Sequence, residues 1–375
     1  MEFPTSYNAI LQLLDQADPV QYAGNRNFTN GSVTKLSPYI ARGVLSTRQV
    51  LDAVIANGYT IHQSEKFIQQ LAWREYFQRT WQWAGDDIFD DMRRSYKGIR
   101  TLQMPAAVAN AQTGIQAVDD AIHQMKETGY LHNHLRMYIA SIVCNIARCD
   151  WKEAAAWMYY HLLDGDLASN HLSWQWVAGH FSSKQYFCNQ DNINNYTGTR
   201  QEGTFLDCSY EQFPLEHLPA VLEPVQAFSV ASSLPVTSAP VINPALPLCL
   251  YNGYQLDPLW RKEEQANRVL LLEPSHFRQF PVSEHSIRFI LSLVANIPGV
   301  QVFTGEVHEI PHLKEVPAIY AKEHPAFAHY PGQKDARDWL FPQVNGKFSS
   351  FFSYWKKCEP LLRKAEIPAK AMLRA

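Results

Sequence analysis

Charge is scarce in this 375-residue chain: Asp, Glu, Lys and Arg together make up 18% of it, and the net balance is −3. A disordered chain needs the opposite composition. With 46% hydrophobic residues, this length is enough for two domains and a large core. The near-neutral balance exerts no general pull on nucleic acid. Any such contact has to rest on a local patch, and the best candidate is "RRSYKGIR", with Arg93, Arg94, Lys97 and Arg100. The plain alternative is a solvated helix end. Six cysteines form no CxxC pair and no zinc spacing, so they read as reduced thiols of a cytoplasmic protein. No apolar run reaches membrane-spanning length, and "MEFPTSYNAILQLLDQ" lacks a basic region followed by an apolar core. Neither a membrane partner nor a secretory leader is expected.

Most of residues 40–175 carries helical periodicity. "STRQVLDAVIANG" starts on a Ser46 cap and stops at Gly58. "HQSEKFIQQLAWREYFQRTWQW" spaces Phe67, Leu71, Trp73, Phe77 and Trp81 near the helical repeat. "TGIQAVDDAIHQMKETG", "LHNHLRMYIASIVCNIARC" and "WKEAAAWMYYHLL" read as three more helices. Seven prolines then fall within 213–247, which reads as an extended linker. Beyond it, "LPLCLYN", "RVLLLEP", "VQVFTG" and "VPAIYA" read as buried strands, with "SEHSIRFILSLVANIPG" a helix among them. The expectation is a helical domain over 1–212 and a small α/β domain over 248–375. The latter ends in an aromatic helix, "GKFSSFFSYWKKCEPLLRKA", that packs back on the first domain. Neither a P-loop nor a GxGxxG turn supports nucleotide binding in the α/β part.

The most unusual stretch is "LLDGDLASNHLSWQW", where Asp164, Asp166 and Asn170 lie beside Trp174 and Trp176. A core has no use for those carboxylates, and a solvated loop has none for those indoles. A flat, polar-edged ligand suits both. Two metal readings compete. Asp164-Gly-Asp166 lacks the further carboxylates of a cation loop, and "HNH" at His132–His134 puts its histidines two apart, on different faces of a helix. No metal is expected.

Five blocks, "VTKLSPYIARGVLSTRQV", "QLAWREYF", "TGIQAVDDAIHQM", "TGYLHNHLRMYIAS" and "LLDGDLASNHLSWQW", resemble in the same order the flavin-binding helical domain of DNA photolyases and cryptochromes. The similarity runs from about Tyr22 to Phe187. It implies a mainly α-helical FAD-binding fold. By the resemblance, Val33, Thr34, Lys35, Leu36 and Ser37 form the turn that holds the FAD diphosphate, with Lys35 where the family usually has Arg. Tyr22 and Arg74 are further cofactor contacts. Arg136 and Asp164 match an ion pair beside the flavin ring, Asp166 the carboxylate at its polar edge, and Asn170 the residue facing its reactive nitrogen. Asn133 falls between cofactor and substrate. Trp73 and Trp176 match two aromatic walls around a flipped pyrimidine dimer, with Gln70, His134 and Met137 alongside. Trp174 and Trp151 match the first two members of an electron-hopping chain, and Gly98 stands where its third Trp belongs.

Departures from the pattern narrow the reading. Gln70 replaces a Glu usual in cyclobutane-dimer repair, His134 replaces an Arg, and Leu172-Ser173 replaces Gly-Gly. Asn133 and Met137 nevertheless follow the cyclobutane-dimer enzymes. The α/β part follows the helical part instead of preceding it, which resembles the short photolyase-like proteins, so no standard antenna pigment is expected. The leading expectation is a light-driven lyase that splits pyrimidine dimers in DNA, preferentially single-stranded, using FAD. The rivals are a cryptochrome-like photoreceptor without repair activity and a flavin-binding structural protein.

Overall fold

The computed structural model describes residues 3–93 and 98–372, with side chains described as far as residue 363. In chain order the first helices are α1 (Tyr7–Asp15), α2 (Pro19–Asn25), α3 (Ser37–Ala41), α4 (Thr47–Ala56) and α5 (Ile61–Ala84). Then follow α6 (Ala106–Ala109), α7 (Gln116–Thr128), α8 (Asn133–Ser141), α9 (Trp151–His161), α10 (Leu167–Ala178) and α11 (Gln190–Thr197). The last three are α12 (Pro274–Gln279), α13 (Glu284–Val294) and α14 (Phe351–Met372). Two compact units emerge, and they do not follow linear order. One gathers Gly24–Val33 and Ala84–Val230; the other gathers the N-terminal helix, Thr34–Trp83 and the chain from Ala231 onward.

Local chemistry explains the helix ends. Ser46 and Gln49 form a reciprocal capping box on α4. Gly129 and Gly179 close α7 and α10 in the left-handed conformation that glycine adopts without strain. The stretch "LHNHLRMYIASIVCNIARC" is not one regular helix. After α8 the backbone passes through a π-helical turn at Ile142–Ile146, and Asn145 Nδ2 there donates to the carbonyls of Val177 and Tyr186 at 3.0 and 2.7 Å. A hydrophobic period cannot reveal such a turn, because the apolar face continues through it.

In the helical unit a core of buried side chains runs from Met104 through α7, α8, α9 and α10 to Leu222. The proline-rich stretch is largely irregular, as its composition demands. It contributes β2 (Val225–Gln226), which pairs antiparallel with β1 (Met104–Pro105). Arg100, part of the sequence's basic patch, is committed to structure. Its Nε, Nη1 and Nη2 donate to the carbonyls of Ala147, Glu223 and Leu222 at 3.3, 3.0 and 3.1 Å. Arg93 covers the ring of Phe181, at 4.7 Å from its centroid. Arg94 and Lys97 lie outside the described residues, as does Tyr96, another aromatic of the same stretch. The patch therefore lacks the free Arg100 that a DNA contact would need.

The other unit holds a five-stranded sheet: β3 (Leu248–Tyr251), β4 (Asn267–Leu272), β5 (Val300–Thr304), β6 (Ile319–Lys322) and β7 (Gln333–Asp335). All neighbours are parallel, in the order β5-β4-β3-β6-β7. The continuous apolar runs of β3 and β4 are buried along their full length, as a parallel sheet requires. The order reverses at β3, so the chain after β3 and the chain after β6 diverge around a crevice. Tyr254, Gln255, Asp257, Lys322 and His324 line it, and Lys322 Nζ lies 3.0 Å from Asp257 Oδ2.

Glu75 of α5, only 2% exposed, organises the end of this unit. Its carboxylate accepts from the backbone N–H of Leu340 at 2.5 Å and of Phe341 at 2.9 Å, and from the Tyr354 hydroxyl at 2.7 Å. Burial, and after it the Glu75 charge, push the Tyr354 hydroxyl well above the usual phenol range. Replacing this carboxylate strands three buried donors at once. Glu75→Ala is expected to lower unfolding stability by about 3 kcal/mol, read from urea denaturation midpoints at constant slope.

Candidate functional site

α10 carries the densest set of candidate residues because Asp166 starts it. The Asp166 carboxylate accepts from the Ser169 N–H at 2.8 Å, as an N-cap does, and is itself buried. Asn170 follows one turn on, half-buried, its amide donating to the Ala155 carbonyl of α9 at 2.9 Å. Trp174 is 2% exposed, whereas Trp176 is half-buried and tilts against Tyr186 with centroids 6.1 Å apart.

Just before α10, buried Asp164 meets Arg136 of α8. One guanidinium nitrogen, Nη2, bridges both carboxylate oxygens at 2.9 and 2.8 Å, while Nε donates to the Leu131 carbonyl at 2.9 Å. A buried carboxylate needs such a partner, and the pair leaves a fixed dipole in the unit. Asn133, the first residue of α8, is exposed; its amide lies 3.8 Å from the Met137 sulfur.

His132 and His134 do not diverge as two residues of one helix would. His132 is the cap of α8, its Nδ1 accepting from the His134 N–H at 3.3 Å, and the two rings lie nearly parallel with centroids 6.2 Å apart. The His132 Nε2 sits 3.0 Å from the Arg26 carbonyl and His134 stacks on Tyr196, so both rings are engaged by the protein. Among the described residues no group of three or more His, Cys, Asp or Glu is placed to hold a metal ion. All six cysteines are unpaired. Within the described residues no helix is long and apolar enough to cross a membrane.

Trp151 opens α9 and is fully buried. Its indole Nε1–H donates to Asp91 Oδ1 at 3.0 Å, and the His180 Nδ1 lies 3.1 Å from the same oxygen. No motif in the chain points to Asp91. It sits in an acidic run, "DDIFDDM", that belongs to no motif.

The remaining candidates belong to the other unit, Val33 excepted. Lys35 adopts φ +54°, in the left-handed region that a lysine seldom enters, and turns Thr34–Ser37 into α3. Tyr22 packs edge-on against Phe67 at 5.1 Å. Gln70, Trp73 and Arg74 are half-buried along α5, and one Arg74 Nη2 reaches the Ile40 carbonyl at 3.5 Å. One face of Trp73 is covered by Phe351 of α14, ring on ring at 3.9 Å and 10°. That partner, 278 residues away in the chain, was invisible to any local motif.

Residues 67–207 match the FAD binding domain of DNA photolyase. This stretch belongs to the photolyase/cryptochrome family. The deoxyribodipyrimidine photo-lyase of Streptomyces griseus is 31% identical over 157 residues, which is 42% of this chain and 34% of that protein. The enzyme of the same name from a Synechococcus species is 30% identical over 188 residues, 47% of this chain and 39% of that protein. The chain thus covers well under half the length of either photo-lyase. A cryptochrome from Synechocystis superposes at a TM-score of 0.48 with 24% identity, over 52% of this chain and 44% of its own. The cofactor of the photolyase domain is FAD. The donor set fits it: an arginine–carboxylate pair, a capping carboxylate and two primary amides offer both donors and acceptors to the edge of a flavin ring.

Burial holds three histidines of the helical unit, His134, His161 and His171, down to about 4 from the ordinary 6.5. Between those values the unfolded chain takes up protons that the folded chain refuses. Stability therefore falls as pH drops from 6.5 to 4. Urea midpoints measured across that window are expected to decline steadily, and His171→Gln to make the decline shallower.

Proposed function

We propose that this protein is a light-driven lyase that splits cyclobutane pyrimidine dimers in DNA, with single strands its preferred substrate. The observation that carries the proposal is the grouping, inside the matched stretch, of the Arg136–Asp164 pair, Asp166 and Asn170 with Trp174, Trp176 and Trp151. In this reading Tyr22, Val33, Thr34, Lys35, Leu36, Ser37 and Arg74 hold the diphosphate and sugar side of FAD. Arg136, Asp164, Asp166, Asn133 and Asn170 hold the ring. When bound, the flavin supplies light absorption and one-electron chemistry.

The chain's own residues supply the rest. Trp73 and Trp176 offer flat apolar surfaces on which extruded bases stack, whatever their sequence. The wall at Trp73 works through one face, since Phe351 occupies the other. The amides of Gln70 and Asn133 donate hydrogen bonds to the dimer carbonyls and stabilise the negative charge of an added electron. His134 and Met137 border the same substrate. Trp174 and Trp151 relay electrons inward to keep the cofactor reduced. Extruding a dimer from a single strand breaks no pairing, and the weakly charged surface suits that cheaper route.

The decisive assay presents the FAD-loaded, reduced protein with a dimer-containing single-stranded oligonucleotide under blue light. Loss of dimers is the expected result. An unchanged oligonucleotide together with efficient flavin photoreduction would overturn repair and favour a photoreceptor, the reading to which Gln70 in place of Glu lends itself. Trp176→Ala is expected to weaken binding of damaged DNA by about five- to 150-fold while FAD stays bound, since a lost base-stacking contact is worth about 1–3 kcal/mol. Trp151→Phe is expected to slow photoreduction yet spare repair by enzyme reduced beforehand with dithionite.

A further inference from the structure

The hydrogen bond from Trp151 to Asp91 is more than a buried indole requires. Any carbonyl would satisfy that N–H. Here the acceptor is a carboxylate, only 20% exposed and held from both sides. The Met92 N–H donates to Gln175 Oε1 at 3.0 Å, and Gln175 Nε2 returns to the Ile88 carbonyl at 2.8 Å, so α10 grips the segment that carries Asp91. From α9, Lys152 pairs with Asp90 at 2.5 Å. His180, just beyond α10, contacts the same Asp91 oxygen as the indole.

A tryptophan that gives up an electron becomes a radical cation, and its N–H becomes far more acidic than that of neutral indole. We propose that Asp91 is the proton acceptor for Trp151 during photoreduction, an inference that rests on the electron relay proposed above. The oxidant is photoexcited, oxidised flavin, and the electron leaves Trp151 by way of Trp174. The Nε1–H bond of the Trp151 radical cation then breaks. Its proton forms an O–H bond on Asp91 Oδ1, leaving a neutral indolyl radical and a neutral carboxyl. An external thiolate later returns one electron, itself becoming a thiyl radical, and the proton travels back along the same 3.0 Å bond. Deprotonation removes the positive charge that favours recombination, so the separated state lasts long enough for a slow reductant. It also lets a fully buried Trp151 serve as the last stable radical, with Gly98 where a third Trp is missing.

The test uses the full chain loaded with FAD, as parent, Asp91→Asn and Trp151→Phe. Asn keeps the shape and an acceptor oxygen but takes no proton. After a blue pulse, transient absorption in the parent is expected to show the tryptophan radical cation converting to the neutral radical. Deuterium oxide should slow that conversion severalfold, and infrared difference spectra should show a protonated carboxyl appearing with it. In Asp91→Asn the cation should decay by recombination alone, without an isotope effect or carboxyl band, and stable photoreduction should fall severalfold. If Asp91→Asn converts at the parent rate with the parent isotope effect, the assignment of Asp91 is wrong and the relay stands. If Trp151→Phe photoreduces like the parent, relay and acceptor both fall. Should Asp91→Asn fail to retain FAD, the isotope effect and carboxyl band of the parent decide the matter.

Discussion

A carboxylate buried beside α8 needs an opposite charge to offset its lost hydration, and a guanidinium supplies it. The contact between Arg136 Nη2 and both oxygens of Asp164 does this in the helical unit, and much else follows from it. The pair fixes the chain that enters α10, so that Asp166 falls at the cap and Asn170, Trp174 and Trp176 follow at set turns of the helix. Removing either partner would leave a bare charge in the interior, a far larger penalty than the pair itself returns. The site therefore has a rigid electrostatic edge before any ligand arrives, which is what a redox cofactor needs from its protein.

Polar groups elsewhere are spent the same way, on holding segments distant in sequence. Glu75 gathers two backbone N–H groups and a tyrosine hydroxyl from residues more than two hundred positions away. Arg100 spends three nitrogens on carbonyls, which turns an apparent nucleic-acid patch into a strut. Asp91 ties a connecting segment to Trp151 and His180. In a chain with so few charges, most charged side chains seen in the interior carry a specific bond, and the surface is left nearly neutral.

The aromatic residues divide by exposure. Trp151 and Trp174 are enclosed, while Trp73 and Trp176 stay partly open. Their neighbours differ too: Phe351 backs Trp73, Tyr186 leans on Trp176, and His171 lies edge-on to Trp151 at 5.9 Å.

Periodicity, capping residues and glycine stops were enough to place α4, α5, α7, α9 and the four main strands. Each of these rests on contacts within a turn or on a short continuous apolar run that the sequence displays directly. The same local order carried the family resemblance, because Asp164, Asp166, Asn170, Trp174 and Trp176 lie within one short stretch. What local order could not carry was decided in three dimensions. Neither the π-helical turn after α8 nor the pairing of His132 with His134 leaves a mark on the hydrophobic pattern. The partnership of helices 34–83 with the α/β segment, the cover of Phe351 on Trp73 and the carboxylate of Asp91 under the Trp151 indole join residues far apart in the chain. Such contacts arise only when the backbone closes on itself, so no spacing rule along the sequence encodes them.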